Sequence, residues 1–332
     1  MLSIIQEHIK AQKDINAYDI KGNTLLHQAV KRGDKEAVSF LLENGAVQKA
    51  NKAGETPLFV LSDTVCDVEI ARLLLEKEPF GIYDTDSEKT TPLMQASAHG
   101  YLDLVRFFVE KGMDVNDKNS QGETALTIAC DATQTAVVRY LLEQKANTEM
   151  VDAVWGRTLF NQAIVDGNKE LVTVLLEGGV APGGPKEGKG YICPPLVLAC
   201  LLEQYEIAGI LLDNGADPNQ SDVVEDCTPL VATIDKLLSG TSKNKLKAYN
   251  MIRTLVQKGA DPLPIKERYN DILHETKLFN LHRQKKCVAK ENSFVSDAVD
   301  ALSPSVQKTC IVRAKPVINL SDMTDRDERS DR

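Results

Sequence analysis

Asn23-Thr24-Leu25-Leu26-His27-Gln28-Ala29 is the most informative stretch of the sequence, because the four residues from Thr24 return along the chain. They reappear as Thr56-Pro57-Leu58-Phe59, Thr91-Pro92-Leu93-Met94, Thr124-Ala125-Leu126-Thr127, Thr158-Leu159-Phe160-Asn161, Pro194-Pro195-Leu196-Val197 and Thr228-Pro229-Leu230-Val231. The intervals are 32, 35, 33, 34, 36 and 34 residues, a mean of 34. Self-similarity at such a period is the mark of a stacked repeat architecture. A second pattern keeps step with the first. Leu41-Leu42-Glu43, Phe108-Val109-Glu110, Leu141-Leu142-Glu143, Leu175-Leu176-Glu177 and Leu211-Leu212-Asp213 each place their acid 19 residues after a motif start. Gly45, Gly112, Gly179 and Gly215 follow two residues later.

The residue types explain the expected shape. A Thr-Pro pair reads as an N-cap hydroxyl followed by proline at the first helical position, where its missing N–H costs nothing. Five residues after the start come Ala29, Ala96, Ala129, Ala163 and Ala199, small enough for helices to approach closely. The Leu-Leu stripe belongs to a second helix, and the glycine after it supplies a left-handed end. Each unit is therefore helix, turn, helix and extended loop. One such pair cannot bury its own apolar face, so neighbours must stack into a solenoid.

With these motifs the chain resembles the ankyrin repeat family. The two most characteristic stretches are Asn23 to Ala29 and Gly215-Ala216-Asp217-Pro218-Asn219. The resemblance implies an all-α solenoid of stacked helix-turn-helix units joined by extended hairpin-like loops. It assigns residues 1–18 to an N-terminal cap helix and 19–265 to seven repeats. Residues 266–302 are expected to form a degenerate eighth repeat or C-terminal cap, and 303–332 a disordered tail. Several repeats depart from the pattern. The second ends in Glu78-Pro79 instead of glycine, the fourth has Lys145 in the glycine slot, and the sixth starts with Pro194. The seventh carries about ten extra residues, assigned to a polar loop over 239–247.

Composition bounds the function. Apolar residues make up 42% of the 332 residues, enough for a sizeable core. The net charge of −9 argues against a general nucleic-acid binder. No stretch approaches the roughly 18 apolar residues needed to cross a bilayer. Met1 to Ala17 lacks the apolar core of a signal peptide. Seven cysteines, an odd number, then suggest free thiols in a reducing cytosolic compartment.

The candidate chemistry is thin. Gly183 to Lys189 imitates the glycine and lysine spacing of a phosphate-binding loop, but Gly190 stands where Ser or Thr is required. Cys130 and Cys200 occupy one repeat position and read as small packing residues. Cys193 and Cys227 occupy another, on neighbouring units too far apart for a disulfide. His27 matches the family's structural histidine. The basic run Arg283, Lys285, Lys286 and Lys290 reads as a solvated helix face. No catalytic residue, metal or cofactor is expected, and an enzyme within 275–332 would lack a visible constellation.

Ankyrin repeats bind proteins through loop tips and the exposed side of the first helix, so the resemblance implies a protein partner. Those positions run from a basic end (Lys21, Lys31, Arg32) through an acidic centre (Glu55, Asp63, Glu88, Glu123, Asp131) to an apolar cluster. The cluster comprises Val154, Trp155, Val165, Tyr191, Leu201 and Leu202, with Arg157 and Asp166 beside them. It is the expected binding site, since aromatic anchors dominate interface energetics. A non-catalytic scaffold follows. The repeats with a polar tail also fit an effector delivered into a host cell by an intracellular bacterium, with a housekeeping cytosolic adaptor as the alternative.

Overall fold

The computed structural model describes residues 1–148, 158–184, 193–222, 226–238, 245–261 and 263–264. They belong to two compact units, residues 1–181 and the chain from 182 onward. Every multi-residue element among them is a helix. The first unit opens with α1 (Leu2–Lys10) and continues with five pairs. These are α2 (Leu25–Lys31) with α3 (Lys35–Glu43), α4 (Pro57–Thr64) with α5 (Val68–Lys77), and α6 (Pro92–Ala98) with α7 (Leu102–Glu110). Then come α8 (Ala125–Asp131) with α9 (Thr135–Glu143), and α10 (Leu159–Val165) with α11 (Lys169–Glu177). The second unit holds α12 (Pro195–Leu201) with α13 (Tyr205–Asp213), and α14 (Pro229–Leu238) with α15 (Lys245–Gln257).

Within the first unit the leading helices α2, α4, α6, α8 and α10 pack in one row, and the trailing helices α3, α5, α7, α9 and α11 in another. In the second unit α12 packs on α14 and α13 on α15. The alanines five residues into each motif lie where the helices touch: Ala29, Ala96, Ala129 and Ala199 are fully buried. α1 covers the first pair by packing on α3, with Ile5 fully buried and Leu2 and Ile9 half-buried.

The caps follow the sequence. The hydroxyls of Thr91, Thr124, Thr158 and Thr228 accept the N–H three residues on, at 3.2, 3.3, 3.1 and 3.3 Å. Each satisfies a donor that the helix start leaves open. The trailing helices end on left-handed residues, among them Gly45, Gly112, Gly179 and Gly215 at φ +89°, +94°, +92° and +88°. Lys145 takes the same conformation at φ +61°, so stacking imposes the ending even where a side chain opposes it. The second repeat is different. Glu78-Pro79 opens a 3-10 turn, Pro79–Tyr83, in place of the left-handed ending. The seventh-repeat insertion ends earlier than the sequence implies. Lys245 to Lys247 form the first turn of α15, which runs 13 residues against 9 in α13; residues 239–244 lie outside the described residues.

His27 ties the first repeat to the second. Its Nδ1 accepts from the Thr24 N–H at 3.1 Å, so its Nε2 carries the proton and donates to the Glu55 carbonyl at 3.0 Å. The first bond requires the neutral ring, whereas the second survives protonation. Burial pushes its pKa below the ordinary value of 6.5, outweighing the nearby Glu55. The unfolded chain therefore takes up a proton before the folded one does as pH falls. His27 contributes stability that is full above the unfolded value and declines as pH drops from about 6.5 toward the folded one. In urea melts at several pH values, His27→Asn should flatten this decline, and an unchanged slope would rule His27 out as its source. Asparagine is the residue that the fifth repeat, at Asn161, carries in this slot.

Candidate functional site

One repeated turn links the successive helix pairs of the first unit. Asp19, Asn51, Asp86 and Asn119 stand five residues before four successive motif starts. Each Oδ1 accepts two backbone N–H groups across its turn: Lys21 and Asn23, Ala53 and Glu55, Glu88 and Thr90, Gln121 and Glu123, all within 2.7–3.0 Å. The same four residues close each hairpin through the backbone, as in Asp19 N–H to Asn23 O at 2.8 Å. Short Asx side chains are suited to this local bonding. Gly22, Gly54 and Gly122 turn the chain at φ +82°, +83° and +82°, with Lys89 at +60° in the third. The first unit thus carries four clamped loop tips in register.

The charges at these tips are partly spoken for. Glu55 accepts from Asn51 Nδ2 at 2.7 Å, and Glu123 from Asn119 Nδ2 at 2.8 Å, so two acids of the expected acidic centre brace their own loops. Asp63 accepts from Gln95 Nε2 at 2.6 Å and faces His99 Nε2 at 3.7 Å. Backbone hydrogen bonds, that to Asn23 foremost, hold the Asp19 carboxyl below its ordinary value. Lys21, Lys31 and Arg32 are exposed.

The expected apolar cluster is described only in part. Val154, Trp155, Arg157 and Tyr191 lie outside the described residues. Val165 is half-buried at the end of α10, and Asp166 after it is exposed and accepts from Gln162 Nε2 at 2.9 Å. Leu201 and Leu202 are half-buried at the end of α12, in the second unit. Val165 and Leu201 hold the same register position, seven residues after their motif starts. Two apolar positions escaped the sequence reading. Ile20, on the first tip, is 95% exposed and Tyr18 45%. The signal was present, since the matching residues of the next three tips are Lys52, Ser87 and Ser120.

Reactive groups are muted. Burial pushes the Cys130 and Cys200 thiols up to about 12, so neither forms a thiolate nucleophile near neutral pH. Among the described residues no group of three or more His, Cys, Asp or Glu could hold a metal, and no helix is long and apolar enough to cross a membrane.

Against known families, the description "Ankyrin repeats (3 copies)" matches residues 1–86 and 67–152, and "Ankyrin repeat" matches 193–223. The chain belongs to the ankyrin repeat family. Ankyrin repeat and SOCS box protein 16 of Mus musculus is 30% identical over 236 residues, covering 66% of this chain and 51% of the relative. A probable E3 ubiquitin-protein ligase, XBOS33 of Oryza sativa subsp. japonica, is 40% identical over 122 residues, 36% of this ankyrin chain and 23% of the relative. The chain thus spans about half or less of these relatives. The solved ankyrin repeat domain of Bcl-3 superposes with a TM-score of 0.56 at 23% identity, covering 70% of this chain and 99% of that one. That likeness shows the fold alone.

Proposed function

We propose that the chain is a protein-binding scaffold without chemistry of its own, which holds its partner along the loop tips and the free side of the leading helices. The observation that carries this reading is the row of four tips, each clamped by an Asx side chain before any partner arrives. A surface ordered in advance loses little conformational freedom on binding. Ankyrin repeats as a family bind proteins, which supports the same reading. Ubiquitin ligation, named for one relative, is not carried over to a chain that covers 23% of it. An effector role gains no support from the comparisons.

From their repeat positions we assign the apolar contact to Val154, Trp155, Val165, Tyr191, Leu201 and Leu202, together with Arg157 and Asp166. The test begins with a partner isolated by affinity capture, whose binding is then measured by calorimetry. Trp155→Ala plus Leu202→Ser should weaken binding by about 2 kcal/mol or more while leaving the circular dichroism unchanged. Lys31→Ala plus Arg32→Ala should change it little. The opposite pattern would move the contact to the first repeat and refute the assignment.

A further inference from the structure

We propose that the tips of the first two repeats form a second docking point, which takes an acidic peptide segment carrying one apolar side chain between its carboxylates. Ile20 stands 95% exposed at the end of a turn that cannot collapse to hide it. Asp19 Oδ1 holds the N–H groups of Lys21 and Asn23, and Asp19 Oδ2 accepts from Gln28 Nε2 at 3.0 Å. Beside it Tyr18 is fixed at both faces of its function. Its hydroxyl donates to the Ala50 carbonyl at 2.8 Å, and Lys49 Nζ lies 4.3 Å from its ring centroid. Gly22 lacks a side chain where the Lys52 stem passes, for a β-carbon there would meet Lys52 Cβ and Cδ at 2.9 Å. Lys52 is thereby laid along the first tip.

The outcome is an aliphatic and an aromatic side chain among three ammonium groups, those of Lys21, Lys49 and Lys52. The carboxylates of the two tips, Asp19 and Glu55, are engaged within their own loops, Asp19 through both oxygens and Glu55 through Asn51 Nδ2. A complementary segment offers an apolar side chain to Ile20 and Tyr18 and carboxylates to the lysines. Opposite charge of this kind steers encounter and fixes register, while the apolar contact retains the segment. An anionic membrane would meet the same lysines, but one protruding isoleucine inserts little apolar surface, and the net charge of −9 opposes adsorption.

The test uses the full chain and fluorescent short peptides, each with one Leu, Ile, Phe or Trp flanked by Asp and Glu. Counterparts carry Asn and Gln in place of the acids. Acidic peptides should bind more tightly than their counterparts, and Ile20→Ser should weaken them about tenfold without lowering the melting temperature. Lys21→Ala plus Lys52→Ala should weaken them similarly and flatten the salt dependence. Equal binding of acidic and amide peptides, or unaltered affinity in Ile20→Ser, would overturn the proposal. So would adsorption to phosphatidylserine vesicles by a chain that takes none of the peptides. The proposal rests on the protein-binding reading only in the class of partner. The peptides probe the tip without the isolated partner, so failure here leaves the Trp155 and Leu202 result standing.

Discussion

Phe108→Ala should lower the stability of the first unit by about 3–5 kcal/mol in denaturant unfolding. Phe108 is a fully buried side chain on α7, and α7 packs against α5, α6 and α9. Neighbours on three sides are held by their own stacking, so they cannot all move in to fill the space an alanine leaves. The cost is then the lost transfer energy plus a cavity. A loss below about 1 kcal/mol, the size of an ordinary surface change, would mean that the stack collapses freely around the site. That would contradict a core built from fixed helix pairs.

Leu175→Ala should cost about 2–5 kcal/mol, and its damage should be local. Leu175 is fully buried on α11, which packs against α9 and α10. In a linear array each repeat depends on its neighbours, so weakening one pair lowers its own opening energy more than that of distant pairs. Native-state hydrogen exchange should therefore quicken first in α10 and α11, with α2 to α5 protected as before. Uniform acceleration across all helices would show that the unit opens as one block.

The repeat was readable because two kinds of residue carry it independently. Thr91 and Pro92 fix where a helix starts by local chemistry alone, and Leu104 and Phe108 recur with helical spacing; both are fully or almost fully buried. The site was less readable. Glu55 and Glu123 look like free acids in the sequence, and only folding shows that Asn51 and Asn119 recruit them. The recruiting residues stand at a constant offset, but Asp and Asn are so common in turns that such a recurrence carries little signal. Ile20 is hard to read in the sequence for the opposite reason. A lone isoleucine in a sequence is assumed to be core, and its exposure depends on a clamp that involves residues on either side of it. Lys145 departs from the glycine pattern, and the structure keeps the ending by accepting a left-handed lysine. Strain at a single residue is invisible to a pattern.

Several side-chain bonds between neighbouring repeats reach toward the later one, although Gln134 and Glu78 reach back, to the Ala98 carbonyl and the Gln48 N–H. Asn16 accepts from the Val47 N–H and donates to the Gly45 carbonyl, His27 donates to the Glu55 carbonyl, and Asn116 accepts from the Asn147 N–H. In the second unit Asn219 accepts from Asp261 and donates to Gly259. Translation delivers the earlier residue first, so each of these side chains leaves the ribosome before the backbone group that will satisfy it exists. A nascent repeat is therefore polar-incomplete until its successor emerges, and assembly of the array is coupled to the direction of synthesis. A chain that stalls after one repeat exposes unsatisfied amides and imidazole at its growing end, whereas loss of the first repeat leaves backbone groups, the Val47 N–H and the Glu55 carbonyl, without their side-chain partners. The two ends of the same stack are thus unequal in what their loss leaves behind.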